Sequence, residues 1–287
     1  MSKTLVIILN HNLPDLTNWL YYSLKKFQDS THDIMVMDNG SKPNLIPPYT
    51  QIRLKHNVYW GGALNEAFLM VIRNPDYDSL MFLNNDIEVT PEIFVKSLRN
   101  ELFRNDFAIV SPCIAGKPLP WRQMQNWGSS TPRVVNWIDN PAVLFHRKII
   151  ETIREFPPEL YIGWGQEMIC YDVCTEKNWK TAVCDHITIL HYGKQTLLQN
   201  QLFSTNETHD DPLAGGAKNI SWDEFKIMAM KTRDDYFEKH PLKHVSFEDH
   251  VKYGINYTYQ PDNPEPLTMK IVNGLVKIKN TITKLFP

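Results

Sequence analysis

The stretch Ser79-Leu-Met-Phe-Leu-Asn-Asn-Asp86 is an apolar run that stops at two amides and a carboxylate. Read as a buried strand, it carries Asn84, Asn85 and Asp86 to its C-terminal end, the place where open α/β sheets hold ligands. Mg2+ and Mn2+ take oxygen ligands and commonly sit between one or two carboxylates and substrate phosphates. One aspartate at such an end therefore suffices for a metal beside a phosphate. Asp38 closes a second apolar run, Asp33-Ile-Met-Val-Met-Asp38, just before the turn Asn39-Gly40-Ser41. Its carboxylate either accepts hydrogen bonds from a base or ribose, or caps that turn. Asn10 and Asn12 follow the run Leu5 to Leu9, where their amides either contact a nucleoside or pin a loop. Asn57 and the pair Gly61-Gly62 precede a helical segment, whose N-terminal amides can approach a diphosphate closely; two glycines also serve any tight turn.

The elements that must hold these residues alternate along the first half of the chain. Leu5 to Leu9 reads as a buried strand, and Pro14 to Phe27 as a helix with Leu16, Leu20 and Leu24 on one face and Pro14 in its first turn. The run ending at Asp38 is the second strand and Gln51 to Lys55 the third. Gly61 to Val71 is a helix entered through the glycine pair, and Ser79 to Leu83 is the fourth strand. Pro91 to Phe103 resumes as helix, with Thr90 at its N-cap. Parallel strands with helical crossovers predict an α/β fold built on a doubly wound sheet.

Ser111 to Asn140 reads differently, as a long loop or hairpin bordering a pocket, with Trp121, Trp127 and Trp137 as platforms for a sugar or base or as packing. Ser221-Trp-Asp-Glu224 is a capping box that opens a helix ending near His240, before Pro241. Pro261 to Pro266 reads as a linker. From Leu267 to Leu285 apolar residues recur at spacings of four and three, with Lys270, Lys277, Lys279 and Lys284 interspersed. This basic amphipathic helix suits either an anionic membrane surface, as a peripheral contact, or packing on its own domain. The expected division is a domain over residues 1–200 and a mainly helical C-terminal extension over 201–287.

Composition narrows the partners. The 287 residues are 43% hydrophobic and 22% charged with a formal net charge of -2, ordinary for a globular chain and no global field for nucleic acid. The small molecule is the favoured partner class. No apolar stretch reaches signal-peptide or membrane-spanning length, which predicts a cytoplasmic protein. The four cysteines are too sparse for a disulfide scaffold. Cys170, Cys174, Cys184 and His186 could imitate a zinc site, but their spacing matches no familiar knuckle, and buried reduced thiols are expected. The formal sequons at Asn206, Asn219 and Asn256 are read as chance.

Six separated blocks occur in a characteristic order. They are Val6 to Asn12, Val36 to Ser41, Asn57 to Asn65, Leu83-Asn-Asn-Asp86, Gly163-Trp-Gly-Gln-Glu167 and His191-Tyr-Gly. In order and approximate spacing the chain resembles the family-2 glycosyltransferases, especially their rhamnosyltransferase-like branch, over residues 4 to about 196. The resemblance implies a GT-A fold, that is, a Rossmann-like, mostly parallel sheet. It also implies a nucleoside-diphosphate sugar donor (UDP-, dTDP- or GDP-linked) and a divalent cation, Mn2+ or Mg2+. The implied activity is inverting transfer of a hexosyl or deoxyhexosyl unit to a hydroxyl, with a glycan acceptor favoured.

Carried over residue by residue, the resemblance makes Asp38 the reader of a pyrimidine base. Asn10, Asn12, Asn57, Gly61, Gly62, Asn84 and Asn85 complete the donor site. Asp86 is a metal ligand and His191 a second. The family's Asp-x-Asp is often complete; here Asn84 replaces the first acid, so Asp86 alone is the expected carboxylate ligand. The family's Glu-Asp pair is Gln166-Glu167 in this chain, which makes Glu167 the base for the acceptor hydroxyl. The alternative for Glu167 is a helix N-terminal acid favoured by the dipole. Trp164, Trp127 and Gln166 are expected along the acceptor. Two other classes remain: a nucleotidyltransferase-like enzyme, for which a glycine- and base-rich phosphate loop after the first strand is missing, and a non-catalytic nucleotide-sugar or glycan-binding protein on the same fold.

Overall fold

The computed structural model describes residues 2–116, 122–139, 141–192, 208–210 and 219–239. Runs of apolar residues short enough for strands become the buried centre of a sheet. These are β1 (Lys3–Asn10), β2 (His32–Asn39) and β4 (Tyr77–Asn84), with the short β3 (Ile52–Leu54) beside β2. Leu5, Ile7, Val36, Leu80 and Phe82 are buried, which is why both faces of these strands must be covered. The covering helices begin with α1 (Pro14–Lys25) and α2 (Tyr59–Arg73), which follow β1 and β3, and α3 (Phe94–Arg104), which follows β5 (Ile87–Glu88). Pro14 occupies the first turn of α1, where its missing N–H costs nothing. α3 starts later than expected: Ile93 takes the N-cap position without a side-chain bond, and Thr90 offers only its carbonyl to Ile93 N–H (3.4 Å).

The second half of the sheet is built from β6 (Ile109–Gly116), β7 (Arg133–Val135), β8 (Ala142–His146) and β9 (Thr181–His191). Helices α4 (Arg147–Ile153) and α5 (Gln166–Glu176) lie between β8 and β9 in sequence. Strand order is β3-β2-β1-β4-β8-β6-β9-β5, with β7 on β9. β3, β2, β1, β4, β6 and β9 run one way; β8, β7 and β5 run against them. The sheet is therefore mostly parallel, as expected, with antiparallel members in its second half. The reading of residues 111–140 as a loop is corrected at its start. Val110, Cys113 and Ile114 are buried, and β6 continues to Gly116 alongside β9. Pro112 sits at a break in register, where a missing N–H is tolerated.

At that break Pro112 pairs with Cys184 and Cys113 pairs with Thr188, so Asp185, His186 and Ile187 bulge out of β9. A buried ion pair fixes the bulge. Arg133 Nη2 lies 2.7 Å from Asp185 Oδ1 and Arg133 Nε donates to both carboxylate oxygens at 2.9 Å. Asp185 also accepts from the backbone N–H groups of Trp127 (2.9 Å) and Ser129 (3.1 Å).

Beyond β9 the described residues form a short ladder, β10 (Thr208–Asp210) with β11 (Asn219–Ser221), and then α6 (Trp222–Lys239). Ala229, Arg233 and Tyr236 are buried at helical spacing. Arg233 Nη2 donates to the buried Asp172 Oδ2 of α5 at 2.9 Å, tying α6 to the helix that carries Glu167. The expected linker 261–266, the basic helix 267–287, Trp121 and the sequons at Asn206 and Asn256 lie outside the described residues. Among the described residues no helix is long and apolar enough to cross a membrane.

All four cysteines are buried free thiols, and burial pushes Cys174 up to about 11. The imitated zinc site does not assemble: His186 lies 3.3 Å from Glu101, and no group of three or more potential ligands occurs among the described residues.

Candidate active site

The parallel strands β1, β2, β4 and β9 end on the same side of the sheet, and their last residues build the site. Asn10 of β1 pairs in register with Asp38 of β2 and, across β2, with Arg53 of β3. Asn10 and Asp38 are both fully buried. Asn10 Nδ2 donates to Asp38 Oδ1 (2.7 Å) and to Ser41 Oγ (3.0 Å), while Asp38 Oδ2 accepts from Ser41 N–H (3.2 Å). This is the turn-capping alternative for Asp38, with Arg53 Nε a further 4.0 Å away as its charged neighbour. Thr17 of α1 extends the chain of bonds: its hydroxyl donates to Asn10 Oδ1 (2.7 Å) and accepts from Asn85 Nδ2 (2.9 Å). Asn10 and Asn85 are thus held inside a relay that locks β4, α1, β1 and β2 together.

A second cluster surrounds His11. Its Nδ1 lies 2.8 Å from Asn39 O, so Nδ1 carries the proton and donates there. Nε2 then accepts from Asn12 Nδ2 (3.1 Å) and Asn57 Nδ2 (3.5 Å). Burial pushes the His11 pKa below its ordinary value, against the pull of the Asn39 carbonyl and Asp38, so the ring is neutral. Asn12 and Tyr59 both adopt positive φ, 58° and 57°, which for tyrosine is a strained conformation. Asn39 holds the second of these: its Oδ1 accepts from Val58 N–H (2.9 Å) and its Nδ2 donates to Tyr59 O (3.1 Å). Gly40 cannot carry a side chain, because a Cβ would lie 2.3 Å from the His56 carbonyl carbon and its φ is +67°.

Gly61 and Gly62 lie inside the first turn of α2 rather than ahead of it. Gly61 N–H donates to Tyr161 O (2.7 Å), and a Cβ there would meet Leu160 O at 2.4 Å. Gly62 N–H donates to Val58 O (3.2 Å). Both amides are engaged within the protein; Gly61 is needed for close packing of α2 on Leu160 and Tyr161, and a Cβ on Gly62 would meet the Val58 side chain at 2.7 Å, so the pair does not form an open diphosphate cradle. Gln166, expected along an acceptor, is buried at the same junction. Its Nε2 donates to Leu160 O (3.1 Å), and its buried Oε1 has no partner among the described residues.

The two expected metal ligands come together. β5 pairs with the end of β9, Ile87 opposite His191, and Tyr192 N–H donates to Asp86 O (3.0 Å). This short ladder brings His191 Nε2 to 3.3 Å from Asp86 Oδ1. One carboxylate and one imidazole are a donor set that suits Mn2+ better than Mg2+, which prefers oxygen alone.

Glu167 lies in the first turn of α5. Its Oε2 accepts from Gly165 N–H (2.8 Å), which is the helix-capping alternative in atomic form. The side chain also lines a cavity of about 10 Å³, room for one water, with Asn136, Trp137, Ile138 and Cys170. Burial raises its pKa to about 8, the Gly165 N–H opposing and the Asp139 charge adding to the rise. Trp164, in the loop just before, packs half-buried against the core. Trp127 is tied elsewhere: its ring N–H donates to Arg122 O (2.9 Å), with the Arg122 guanidinium 4.9 Å above the ring. Among the described residues no hydrogen bond or ring contact joins Trp127 to Asp86 or Glu167.

Trp60 connects the two sides of the site. Its ring N–H donates to Asn84 Oδ1 (3.0 Å), its edge meets Phe82 at 5.3 Å between centroids, and a Cβ on Gly163 would lie 2.8 Å from its Cε3. Trp60, His11 and Asn39 lie within the sequence blocks singled out above. Their roles depend on partners in other elements, which the order of residues along the chain does not reveal. Thr17 carried no signal beyond its helical position.

No protein-family model matches the chain, and no curated protein matches it in sequence. Solved structures do match in shape. The crystal structure of GalNAc-T7 with UDP, GalNAc and Mn2+ matches at a TM-score of 0.57 and 13% identity, over 92% of this chain and 59% of that one. S. aureus TarS 1-349 in complex with UDP-GlcNAc matches at 0.52 and 13%, over 90% and 77%. The chain thus spans less than two thirds of the length of GalNAc-T7. The likeness shows the fold, which is the GT-A fold of glycosyltransferases.

Proposed function

We propose that this GT-A chain is a Mn2+-dependent glycosyltransferase that moves a sugar from a nucleoside diphosphate to an acceptor hydroxyl, with inversion, in the manner of the family-2 enzymes it resembles. The observation that carries the reading is the meeting of Asp86 and His191 at 3.3 Å beside the strand ends. GalNAc-T7 and TarS, two solved proteins it resembles in fold, were captured with UDP or UDP-GlcNAc, and the former with Mn2+, which supports the donor class and the ion. Asp86 and His191 would hold the cation, which offsets the charge of a departing diphosphate.

The chain's own residues supply the rest. Asn12, Asn57 and His11 line the nucleoside side, with Asp38 and Asn10 rigid beneath them. Asn84 faces the donor at the end of β4. Glu167 takes the proton of the acceptor hydroxyl as that oxygen bonds to the anomeric carbon and the bond to the diphosphate breaks. Trp164 borders the acceptor, and a glycan is the acceptor class favoured. The Gly165 N–H bond to Glu167 favours a second reading, a nucleotide-sugar-binding protein without turnover.

Titration calorimetry with UDP, GDP and dTDP, each with and without Mn2+, tests the reading. One nucleotide is expected to bind with Mn2+, and Asp86→Ala to weaken that binding by about tenfold or more. No binding of any nucleotide in either condition would sink it. Tight binding of the matching sugar nucleotide, with no release of the diphosphate at any pH or with any glycan, would select the non-catalytic reading.

A further inference from the structure

We propose that Trp60 is a positioning residue that decides what Asn84 offers a bound nucleotide. This inference rests on the donor reading above. An indole N–H donates and never accepts, so the 3.0 Å bond from Trp60 Nε1 fixes which end of the Asn84 amide faces it: the oxygen. Nδ2 is left pointing the other way. Asn84 is only half-buried, and among the described residues its Nδ2 makes no hydrogen bond. The side chain at the mouth of β4 therefore turns its two N–H donors away from Trp60 while its oxygen is engaged by the indole.

That polarity selects a ligand chemistry. Donors suit the phosphate or ribose oxygens of a nucleotide, and they repel a bare cation. The metal-facing role consequently falls to Asp86 without help from Asn84, although the two are separated by one residue. Trp60 itself is held in place from two sides, by the edge of Phe82 at 5.3 Å and by Gly163, where a Cβ would sit 2.8 Å from its ring. Gly163 begins the Gly-Trp-Gly loop leading to Glu167, so one indole supports both that loop and the amide at the end of β4.

Nucleotide titrations with Mn2+ on wild type, Trp60→Phe, Asn84→Ala and the double variant test this. Phenylalanine keeps an aromatic ring at this position but removes the N–H together with the bulk of the second fused ring, so the double variant, rather than the single one, isolates the hydrogen-bonded unit. Each single change is expected to weaken binding of the preferred nucleoside diphosphate about fivefold. The double variant is expected to be no weaker than the weaker single, because both remove one hydrogen-bonded unit. Equal binding by wild type and Trp60→Phe, or additive losses, overturns the inference while leaving the donor reading intact. Binding of no nucleotide by the wild type overturns both. Should Trp60→Phe fold poorly, the side-chain NH2 signals of Asn84, assigned by their loss in Asn84→Ala, decide in the wild type. They are expected to shift on adding the nucleotide with Mg2+, and signals unmoved under saturating nucleotide overturn the inference.

Discussion

Replacing Glu167 by glutamine removes a carboxyl whose environment opposes its ionisation. Burial in the folded chain pushes that carboxyl from its ordinary value of 4.5 up to about 8. Between those two values the folded state keeps a proton that the unfolded state has released. Stability attached to this group is therefore intact below about pH 4.5 and falls as pH rises toward and through 8. From pH 6 to pH 9 the wild type should lose about 2–3 kcal/mol that Glu167→Gln, with no proton to lose, keeps. Urea denaturation of both proteins at pH 6, 7.5 and 9 reads the difference without any assumption about activity. If Glu167 is also the base, the same titration shapes the rate. Its ionised fraction rises from about a tenth at pH 7 to about nine tenths at pH 9, so turnover should climb about tenfold along an alkaline limb that Glu167→Gln abolishes. Parallel stability curves for the two proteins would refute the burial argument. A flat rate profile with divergent stability curves would leave Glu167 buried but remove it as base.

Two other changes probe what holds the site in place. Thr17→Val removes the hydroxyl joining Asn85 to Asn10 and leaves the buried Asn10 Oδ1 without that donor, which should cost about 1–3 kcal/mol in chemical denaturation. Arg233→Met strands the buried Asp172 without its guanidinium and should cost about 3–5 kcal/mol, most of it recovered when Asp172→Leu is added; a loss below about 1 kcal/mol would mean that the ion pair contributes little.

Much of the first half of the fold was legible because its strands are continuous apolar runs punctuated by polar turns. The run through Leu80 and Phe82 marks β4 by itself, and Asp86 stands out as the carboxylate that follows it after two amides. Strands that carry no such run were harder. β6 contains Pro112, whose compatibility depends on a register break that only its neighbour β9 creates. The orientation of β8 is likewise a property of its partners, since Ala142 to Phe145 would be equally apolar in either direction.

At the site, residue types were easier to read than partners. Asn10, Asp38 and Asn85 were picked out for their polarity, yet that polarity is largely consumed by one another and by Thr17. The glycine pair was picked out for its freedom to approach a phosphate, but Gly61 is close-packed against Leu160 O. Gln166 fills the same junction. Such uses depend on what the fold brings to 3 Å, and spacing along one chain does not encode it. The approach of His191 to Asp86 is visible in the sequence only through a resemblance in the order of its blocks, because nothing local to either residue points to the other.

The bulge at Asp185–Ile187 has a consequence for which side chain arrives opposite Asp86. It works as a length gauge. Were β9 to run on without it, Cys113 would pair with Asp185 and Gly116, the last rung, would pair with Thr188 in place of His191. A hydroxyl would then stand where the imidazole does, with every strand still present. Three residues of slack, clamped by Arg133 well away from the strand end, thus determine the ligand chemistry there. Insertions or deletions in that bulge would rewrite the site without touching a residue that lines it.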